Sequence, residues 1–274
     1  MKRVVDIVVS TVALALISPL MLIAMALIWA VDFHSPFYAA RRVRRRGEVF
    51  HMLKLRSMVV NADQLGGTAT ALDDRRVTRI GRFVRHWKLD EFPQFWNVLR
   101  GEMSVVGPRP RVQQDADAFT EEEYQILDTP PGVTDFASIV FTDEGEILKG
   151  SSNPDQEYNQ VIRPWRNRLA LFYVRNRSVA TDLKLIWLTA VSIVSRPAAV
   201  RGVVALLRKL NADEQLIIVA SRTRPLHEFA VTGASRNEAG LTSLPVPSRP
   251  PLDPRGGLGH SRTPVSVNRA ASEV

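Results

Sequence analysis

Asp90 and Glu91 are adjacent carboxylates, and such a pair can carry out phosphate chemistry. Pro93 follows them and suits the first position of a helix, so the sequence predicts both acids at a helix N-terminus. Unpaired amides and the helix dipole there keep carboxylates ionised and favour a bound phosphate. Two carboxylates in one turn can share a hard cation such as Mg²⁺, and an ionised aspartate beside it can attack phosphorus as a nucleophile. The alternative is a pair of ordinary helix-capping acids.

A single arginine, Arg109, stands between Pro108 and Pro110 shortly after this pair. Its planar guanidinium matches phosphate oxygens bidentately, and the flanking prolines reduce the entropy lost in placing it. The alternative is a proline-braced surface turn. The carboxylates and this arginine together predict a phosphoryl-transfer site.

The stretch before the acids has the pattern of a basic amphipathic helix. Its apolar residues follow helical spacing: Ile80, Phe83, Val84 and Trp87. Its arginines are Arg75, Arg76, Arg79, Arg82 and Arg85. We expect a helix in the membrane interface, with Arg79 and Arg85 among the residues that meet phosphate.

A β-hairpin is predicted upstream, with its turn at Arg46–Gly47. Lys54 and Arg56 lie on its second strand and are candidate phosphate contacts. The arginines of residues 41–46 are instead interpreted as a positive anchor beside the membrane. Residues 61–74 are polar and glycine-rich, which indicates a mobile lid over the site.

Residues 7–31 carry no charge and exceed the roughly 20 residues that a spanning helix needs. A cleaved signal peptide fits poorly, because the apolar region of a signal peptide is shorter than residues 7–31. Basic residues on both sides favour cytoplasmic placement of both ends, and Ser18–Pro19 near the middle can bend the helix. The residues alone leave a spanning helix and a re-entrant helix open.

The formal net charge of +8 and a pI near 10.3 predict a polyanionic partner. The charge lies next to a membrane-seeking segment, so we expect membrane lipids and phosphorylated substrates and no nucleic acid. The chain has no cysteine, which excludes a thiol nucleophile and a cysteine-ligated zinc and fits a reducing cytoplasm.

The stretch TRIGRFVRHWKLDEFPQFWNVLRGEMSVVGPRP, the segment MLKLRSM and the hydrophobic N-terminus containing Ser18–Pro19 resemble the bacterial sugar transferase family. The resemblance covers roughly residues 1–195. Members are monotopic phosphoglycosyl transferases that begin exopolysaccharide, O-antigen and glycoprotein glycan synthesis. The resemblance implies transfer of a sugar 1-phosphate from a nucleotide sugar, UDP-linked, to undecaprenyl or another polyprenyl phosphate. It also implies a re-entrant helix on the cytoplasmic face of the bacterial inner membrane.

The same resemblance implies roles for individual residues. Asp90 would be the nucleophile and Glu91 its partner on Mg²⁺, while Arg85 and Arg109 would contact phosphate or nucleotide. Lys54 and Arg56 match the family's KFRSM strand, with Leu55 in place of the usual Phe.

Two departures from the family pattern stand out. SPFYAARRVRRRG replaces a glycine- and proline-rich segment, and Asp135 stands where the family has Gly. The second change leaves the local backbone and the substrate preference open.

We expect an α+β, mainly helical fold, with a re-entrant membrane helix, amphipathic interfacial helices and a small β-hairpin or sheet around the active site. Its parts are residues 1–36 (membrane helix), 37–208 (catalytic domain) and 209–274 (disordered tail). Within the catalytic domain we expect a short acidic helix at 120–127, a strand at 136–140 and a second basic interfacial helix at 157–177. A non-catalytic, basic membrane scaffold is the alternative function, but it gives no reason for the arrangement of Asp90, Glu91 and Arg109.

Overall fold

The computed structural model describes residues 1–67 and 69–226. They form a mainly helical fold with two small sheets and a long apolar N-terminal helix, which confirms the predicted class at that level. The helices are α1 (Lys2–Asp32), α2 (Arg79–His86), α3 (Gln94–Leu99), α4 (Gln113–Asp117), α5 (Phe136–Val140), α6 (Glu144–Ile147), α7 (Pro154–Glu157), α8 (Arg163–Asn176), α9 (Val179–Val194), α10 (Arg196–Lys209) and α11 (Glu214–Ser221). The strands are β1 (Phe37–Val43), β2 (Val49–Leu55), β3 (Ser104–Val106) and β4 (Gly132–Thr134).

The predicted hairpin is confirmed: β1 and β2 pair antiparallel from Phe37 opposite Leu55 to Val43 opposite Val49. A 3₁₀ turn at Arg45–Gly47 joins them, and Gly47 has a φ of 80°, a conformation that glycine adopts without strain. Residues directly opposite each other in an antiparallel pair share a face of the sheet.

The second sheet is a short parallel pair, with Ser104 opposite Gly132 and Val106 opposite Thr134. The backbones approach so closely that a Cβ on Gly132 would lie 2.1 Å from the amide nitrogen of Gly107. The Gly132 amide also donates to the Pro108 carbonyl at 2.9 Å. This contact fixes the loop that carries Arg109.

The helix expected at 157–177 is confirmed over Arg163–Asn176, but its apolar residues pack against protein instead of facing a membrane interface. α8 lies in the protein core, where Trp165, Leu169 and Tyr173 are 4%, 0% and 1% exposed. Helical spacing of apolar residues shows that one face is covered, but it does not say whether lipid or protein covers it.

The strand expected at 136–140 is also wrong, because these residues form α5. Asp135 caps this helix: its Oδ1 accepts hydrogen bonds from the Ser138 amide and hydroxyl, each at 2.7 Å. A short, mostly apolar run fits a buried strand or a buried helix, and the cap decides between them. Asp135 therefore has a structural role at the position where it departs from the family pattern. The acidic helix expected at 120–127 is a 3₁₀ segment at Glu123–Asp128.

The predicted tail begins too early. α11 follows α10, is capped by Asp213 and buries Leu216 and Val219 in the main core. The composition after residue 208 suggested disorder, but the apolar run of α11 is long enough to form a capped helix that packs in the core. Residues 227–274 lie outside the described part of the chain.

The N-terminal helix α1 is bonded to the rest of the fold at both ends. At its start, Lys2 pairs with Asp182 at 2.6 Å, and Asp6 accepts hydrogen bonds from the Ser104 hydroxyl and the Val105 amide, each at 2.9 Å. At its end, Asp32 pairs with Arg56 of β2. By length and composition α1 could cross a membrane, and its exposed apolar residues include Val8, Val12, Leu16, Leu22, Ile23 and Leu27.

Candidate functional site

Asp90 and Glu91 lie in a 3₁₀ turn, Leu89–Glu91, between α2 and α3. Leu89 anchors the turn in a small apolar cluster with Ile28 of α1, Leu55 of β2 and Val84 of α2. Pro93 caps α3, one position before the place that the sequence predicted for it. The helix α1 and the hairpin therefore help to hold the acid turn.

Glu91 is held by two cations. Arg109 Nη2 lies 2.5 Å from Glu91 Oε1, and Lys54 Nζ lies 3.7 Å from the same oxygen. Burial alone would raise the pKa of Glu91, but the charges of Arg109 and Lys54 outweigh it and keep the pKa well below its usual range. Glu91 is therefore ionised and fixed in place.

Asp90 is in a different situation. Its side chain is buried, and within residues 1–67 and 69–226 it has no hydrogen bond or ion pair. Burial raises the pKa of Asp90, the Lys54 charge opposes that rise, and the Glu91 charge adds to it. The oxygens of Asp90 are thus free for a ligand, while its ionised form depends on nearby positive charge.

Lys54 and Arg109 come from separate elements. Lys54 lies on β2, and burial lowers the pKa of its ammonium against the opposing charge of Glu91. Arg109 follows β3, and the Glu91 charge raises the pKa of its guanidinium above the ordinary value. The structure brings together four of the predicted site residues: Lys54, Asp90, Glu91 and Arg109.

Arg85 lies on the Asp90 side of this group. Its Nε donates to the Ser57 hydroxyl at 2.8 Å. Burial lowers the pKa of Arg85, and Asp90 supplies the largest opposing charge. Its placement is compatible with the predicted phosphate contact.

Arg56 and Arg79 are not brought to the acids. Arg56 is paired with Asp32 and donates to the Ser35 carbonyl at 2.8 Å, so it fastens the end of α1 to β2. Arg79 is exposed on α2, and no hydrogen bond or ion pair to it occurs in the described residues. The substrate-binding roles of all five basic residues stay predictions.

Arg42 is a candidate that the sequence interpretation missed, because it was grouped with the membrane anchor. It is half-buried on β1, and after burial the nearby Arg109 charge is the main factor that lowers its pKa. The hairpin register supplies the missing signal: alternation along β1 and β2 assigns Arg42 and Lys54 to the same face.

The loop predicted as a lid is bonded to several elements of the fold, and Ala69 and Ala71 are buried in the main core. Tyr38 donates to Asp63 at 3.0 Å, and the Ala69 amide donates to Asp155 at 2.8 Å. Arg76 binds Asp74 at 2.7 Å and the Gly67 carbonyl at 2.8 Å. The first bond ties the loop to β1, the second ties it to α7, and the Arg76 bonds brace the loop itself. Its predicted mobility stays a prediction.

The donor set of the acid turn fits Mg²⁺. Mg²⁺ in phosphate-handling sites commonly takes one or two protein carboxylates and completes its shell with water and phosphate oxygens. In the described part of the chain no group of three or more His, Cys, Asp or Glu side chains forms a cage. Asp90 and Glu91 are therefore the residues that would hold the ion, with open positions for substrate.

Comparison of the sequence with known proteins assigns the chain to a family. The family model described as "Bacterial sugar transferase" matches residues 1–196. The exopolysaccharide production protein ExoY of Rhizobium meliloti is 33% identical over 203 residues, which cover 69% of this chain and 83% of that protein.

Two further relatives are longer than this chain. The undecaprenyl-phosphate galactose phosphotransferase of Salmonella typhimurium is 30% identical over 217 residues, covering 73% of this chain and 41% of that protein. The UDP-N-acetylgalactosamine-undecaprenyl-phosphate N-acetylgalactosaminephosphotransferase of Aeromonas hydrophila is 37% identical over 177 residues, covering 62% and 42%. The matches confirm the resemblance to this family and the transferase class that the resemblance implied. The chain belongs to the bacterial sugar transferase family.

Proposed function

We propose that the protein transfers a sugar 1-phosphate from a UDP-sugar to undecaprenyl or another polyprenyl phosphate and so begins the synthesis of a surface polysaccharide or glycan. The observation that carries this proposal is the contrast within the acid pair. Glu91 is fixed by Arg109 and Lys54, whereas Asp90 is buried, has no hydrogen bond or ion pair within the described residues and lies next to positive charge. Asp90 is thus available to attack phosphorus, and Glu91 is available to orient the cation and the substrate phosphate. The relatives named above as undecaprenyl-phosphate phosphotransferases support the substrate class.

The reaction would proceed in two displacements. A carboxylate oxygen of Asp90 attacks the β-phosphorus of the UDP-sugar, a P–O bond forms, and the bond to the leaving UMP breaks. A polyprenyl-phosphate oxygen then attacks the same phosphorus, and the bond to Asp90 breaks. Mg²⁺ on Asp90 and Glu91 would neutralise phosphate charge, and Arg85 and Arg109 would add fixed positive charge beside it.

The contacts of α1 support attachment at one face of the bacterial inner membrane, the cytoplasmic face. Its 31 residues would extend about 46 Å as a straight helix, longer than the roughly 30 Å hydrocarbon core. Yet Lys2 at one end and Asp32 at the other both bond to the same folded domain. Pro19 lies inside the helix and removes a backbone donor there. A re-entrant segment accounts for these contacts, whereas a cleaved signal peptide does not.

Exposed aromatic side chains support a membrane-facing site. Phe83, Trp87 and Trp96 flank the acid turn and are 50–53% exposed. Trp and other aromatic side chains are favoured at membrane–water interfaces. This arrangement would place the acids where a lipid-borne phosphate can reach them.

A turnover assay tests the proposal. Asp90→Asn should abolish transfer from UDP-sugar to undecaprenyl phosphate in liposomes while membrane association is retained. Asp73→Asn is the matched control, because Asp73 is an exposed carboxylate on the protein surface. Wild-type turnover in Asp90→Asn would contradict the proposal and favour the non-catalytic scaffold.

A further inference from the structure

One face of the β-hairpin carries two basic residues, Lys54 and Arg42, separated by apolar residues. Tyr38 lies opposite Lys54, Ala40 opposite Met52 and Arg42 opposite Phe50. Opposed residues share a face, so Lys54 and Arg42 lie on the same side of the hairpin, with Ala40 and Met52 buried between them. Arg41, the neighbour of Arg42, lies on the opposite face and is exposed.

This face holds more positive charge than the carboxylate beside it neutralises. Glu91 already pairs with both Arg109 and Lys54. Arg42 is half-buried, and its one hydrogen bond in the described residues goes to the Arg41 carbonyl at 2.9 Å. It makes no ion pair there. The charges of Asp115 and Asp63 act on Arg42 from a distance, but neither acid forms an ion pair with it. A partly buried guanidinium without an ion-pair partner is a suitable binding group for an anion such as phosphate.

The cations are ordered along the face. Lys54 lies opposite Tyr38 at one end of the hairpin, and Arg42 lies opposite Phe50, four residues away along each strand. Arg42 therefore lies about 13 Å along the strands from the level of Lys54, at roughly 3.3 Å per residue. Arg109 is the leading charge that lowers the pKa of Arg42.

Lys54 and Arg42 also lie at different distances from the end of α1, with Lys54 nearer to it. The Arg56–Asp32 pair fixes the end of β2 to the end of α1, and Lys54 lies next to that end. Arg42 lies near the far end of β1, about 17 Å from Phe37 along an extended strand. A lipid phosphate would approach from the α1 end, whereas the water-soluble half of a nucleotide sugar would occupy the far end.

We propose that Arg42 binds the α-phosphate of the donor, the phosphate that leaves with the nucleoside, while Arg109 and Lys54 face the phosphate that is transferred. This inference rests on the proposed function and adds a residue that separates donor from acceptor. Arg42 is then a donor-binding residue, and it should have no effect on affinity for the lipid.

Nucleotide binding tests the inference without turnover. UMP and UDP are titrated calorimetrically, in the presence of Mg²⁺, into the full-length protein in detergent. Arg42→Ala should weaken UMP binding about tenfold or more, as expected for loss of a charged hydrogen bond. Arg42→Lys should recover part of the affinity, because it keeps the charge and loses the bidentate fork. Arg41→Ala is the matched control and should bind as wild type does.

The outcomes separate this inference from the proposed reaction. Calorimetry measures binding without turnover, so failure of catalysis leaves the binding result readable. Equal UMP affinity of wild type and Arg42→Ala would overturn the role of Arg42. The role would also be overturned if Arg41→Ala lost as much UMP affinity as Arg42→Ala, or if wild type bound neither UMP nor UDP. A third contradicting result is a rise in the KM for polyprenyl phosphate in Arg42→Ala with unchanged UMP affinity. Thermal unfolding of each variant confirms that the compared proteins are folded.

Discussion

Arg109 Nη2 lies 2.5 Å from Glu91 Oε1, and this contact joins the loop after β3 to the turn before α3. Lys54 of β2 lies 3.7 Å from the same oxygen. Three elements that are distant in sequence are thus held together through one carboxylate. Asp90 next to it makes no such contact in the part of the chain that the structure describes.

Removing the charge of Glu91 should impair catalysis more than folding. Glu91→Gln keeps the shape and a hydrogen-bond acceptor for Arg109 but loses half of the charge available to a cation. We expect kcat to fall about 100-fold or more, as when one electrostatic partner of a transition state is removed, and the Mg²⁺ concentration for half-maximal rate to rise. Glu48→Gln, at an exposed carboxylate of the hairpin, is the control. An unchanged Mg²⁺ dependence in Glu91→Gln would argue against a shared ion.

Lys54 should set the pH dependence of the reaction. Burial raises the pKa of Asp90 and the Lys54 charge opposes that rise, so removing this charge raises the pKa of Asp90 further. Less of the nucleophile is then ionised at a given pH. In Lys54→Met the acidic limb of the kcat/KM profile should move to higher pH by about one unit, the size expected for loss of an adjacent opposite charge. Lys54→Arg keeps the charge, and Lys149→Met removes an exposed lysine, so both variants should leave the acidic limb near its wild-type position. A shift of the limb to lower pH in Lys54→Met would contradict this electrostatic role.

Arg56 should act through the membrane helix. Because it is paired with Asp32 and the Ser35 carbonyl, Arg56→Ala should loosen the attachment of α1 to β2. We expect a lower thermal unfolding temperature in detergent and a KM for the nucleotide sugar within about twofold of wild type, as for a residue outside the binding site. Asp32→Asn should have the same signature. A large rise in donor KM with unchanged unfolding temperature would instead restore Arg56 as a substrate contact.

The close approach of Gly107 and Gly132 should be required for the Arg109 loop. A Cβ on Gly132 would lie 2.1 Å from the Gly107 amide nitrogen and 2.4 Å from its carbonyl oxygen. Gly132→Ala should therefore destabilise the protein by about 1–3 kcal/mol, the usual cost of overpacking, and lower activity through displacement of Arg109. Gly145→Ala is a suitable control, because its Cβ would meet no atom closer than 3.4 Å. Chemical or thermal unfolding in detergent compares the two, and equal stability of both variants would contradict the packing constraint.

Local chemistry made part of the site predictable. Asp90, Glu91 and Arg109 could be identified because adjacent carboxylates and a proline-braced arginine are informative without knowledge of the fold. The hairpin was predictable from a glycine turn between alternating residues. Arg42 was not, because its role depends on the register of β1 against β2 and on the approach of Arg109 from a distant loop.

The errors in the fold have a common cause. Apolar spacing in α8 and the apolar runs of α5 and α11 show that these residues are covered, but the covering partner is set by the rest of the chain. Arg56 shows the same limit for a charged residue, since its strand was predicted correctly while its partner Asp32 lies at the end of the membrane helix.

The covalent intermediate tests the central claim most directly. Wild-type protein is incubated with UDP-sugar and Mg²⁺ without polyprenyl phosphate, quenched, digested and analysed by mass spectrometry. We expect a phosphosugar adduct on the peptide that contains Asp90, its disappearance on addition of polyprenyl phosphate, and no adduct in Asp90→Asn. An adduct on another residue, or product formation by wild type with no adduct under conditions that trap acyl phosphates, would contradict Asp90 as the nucleophile.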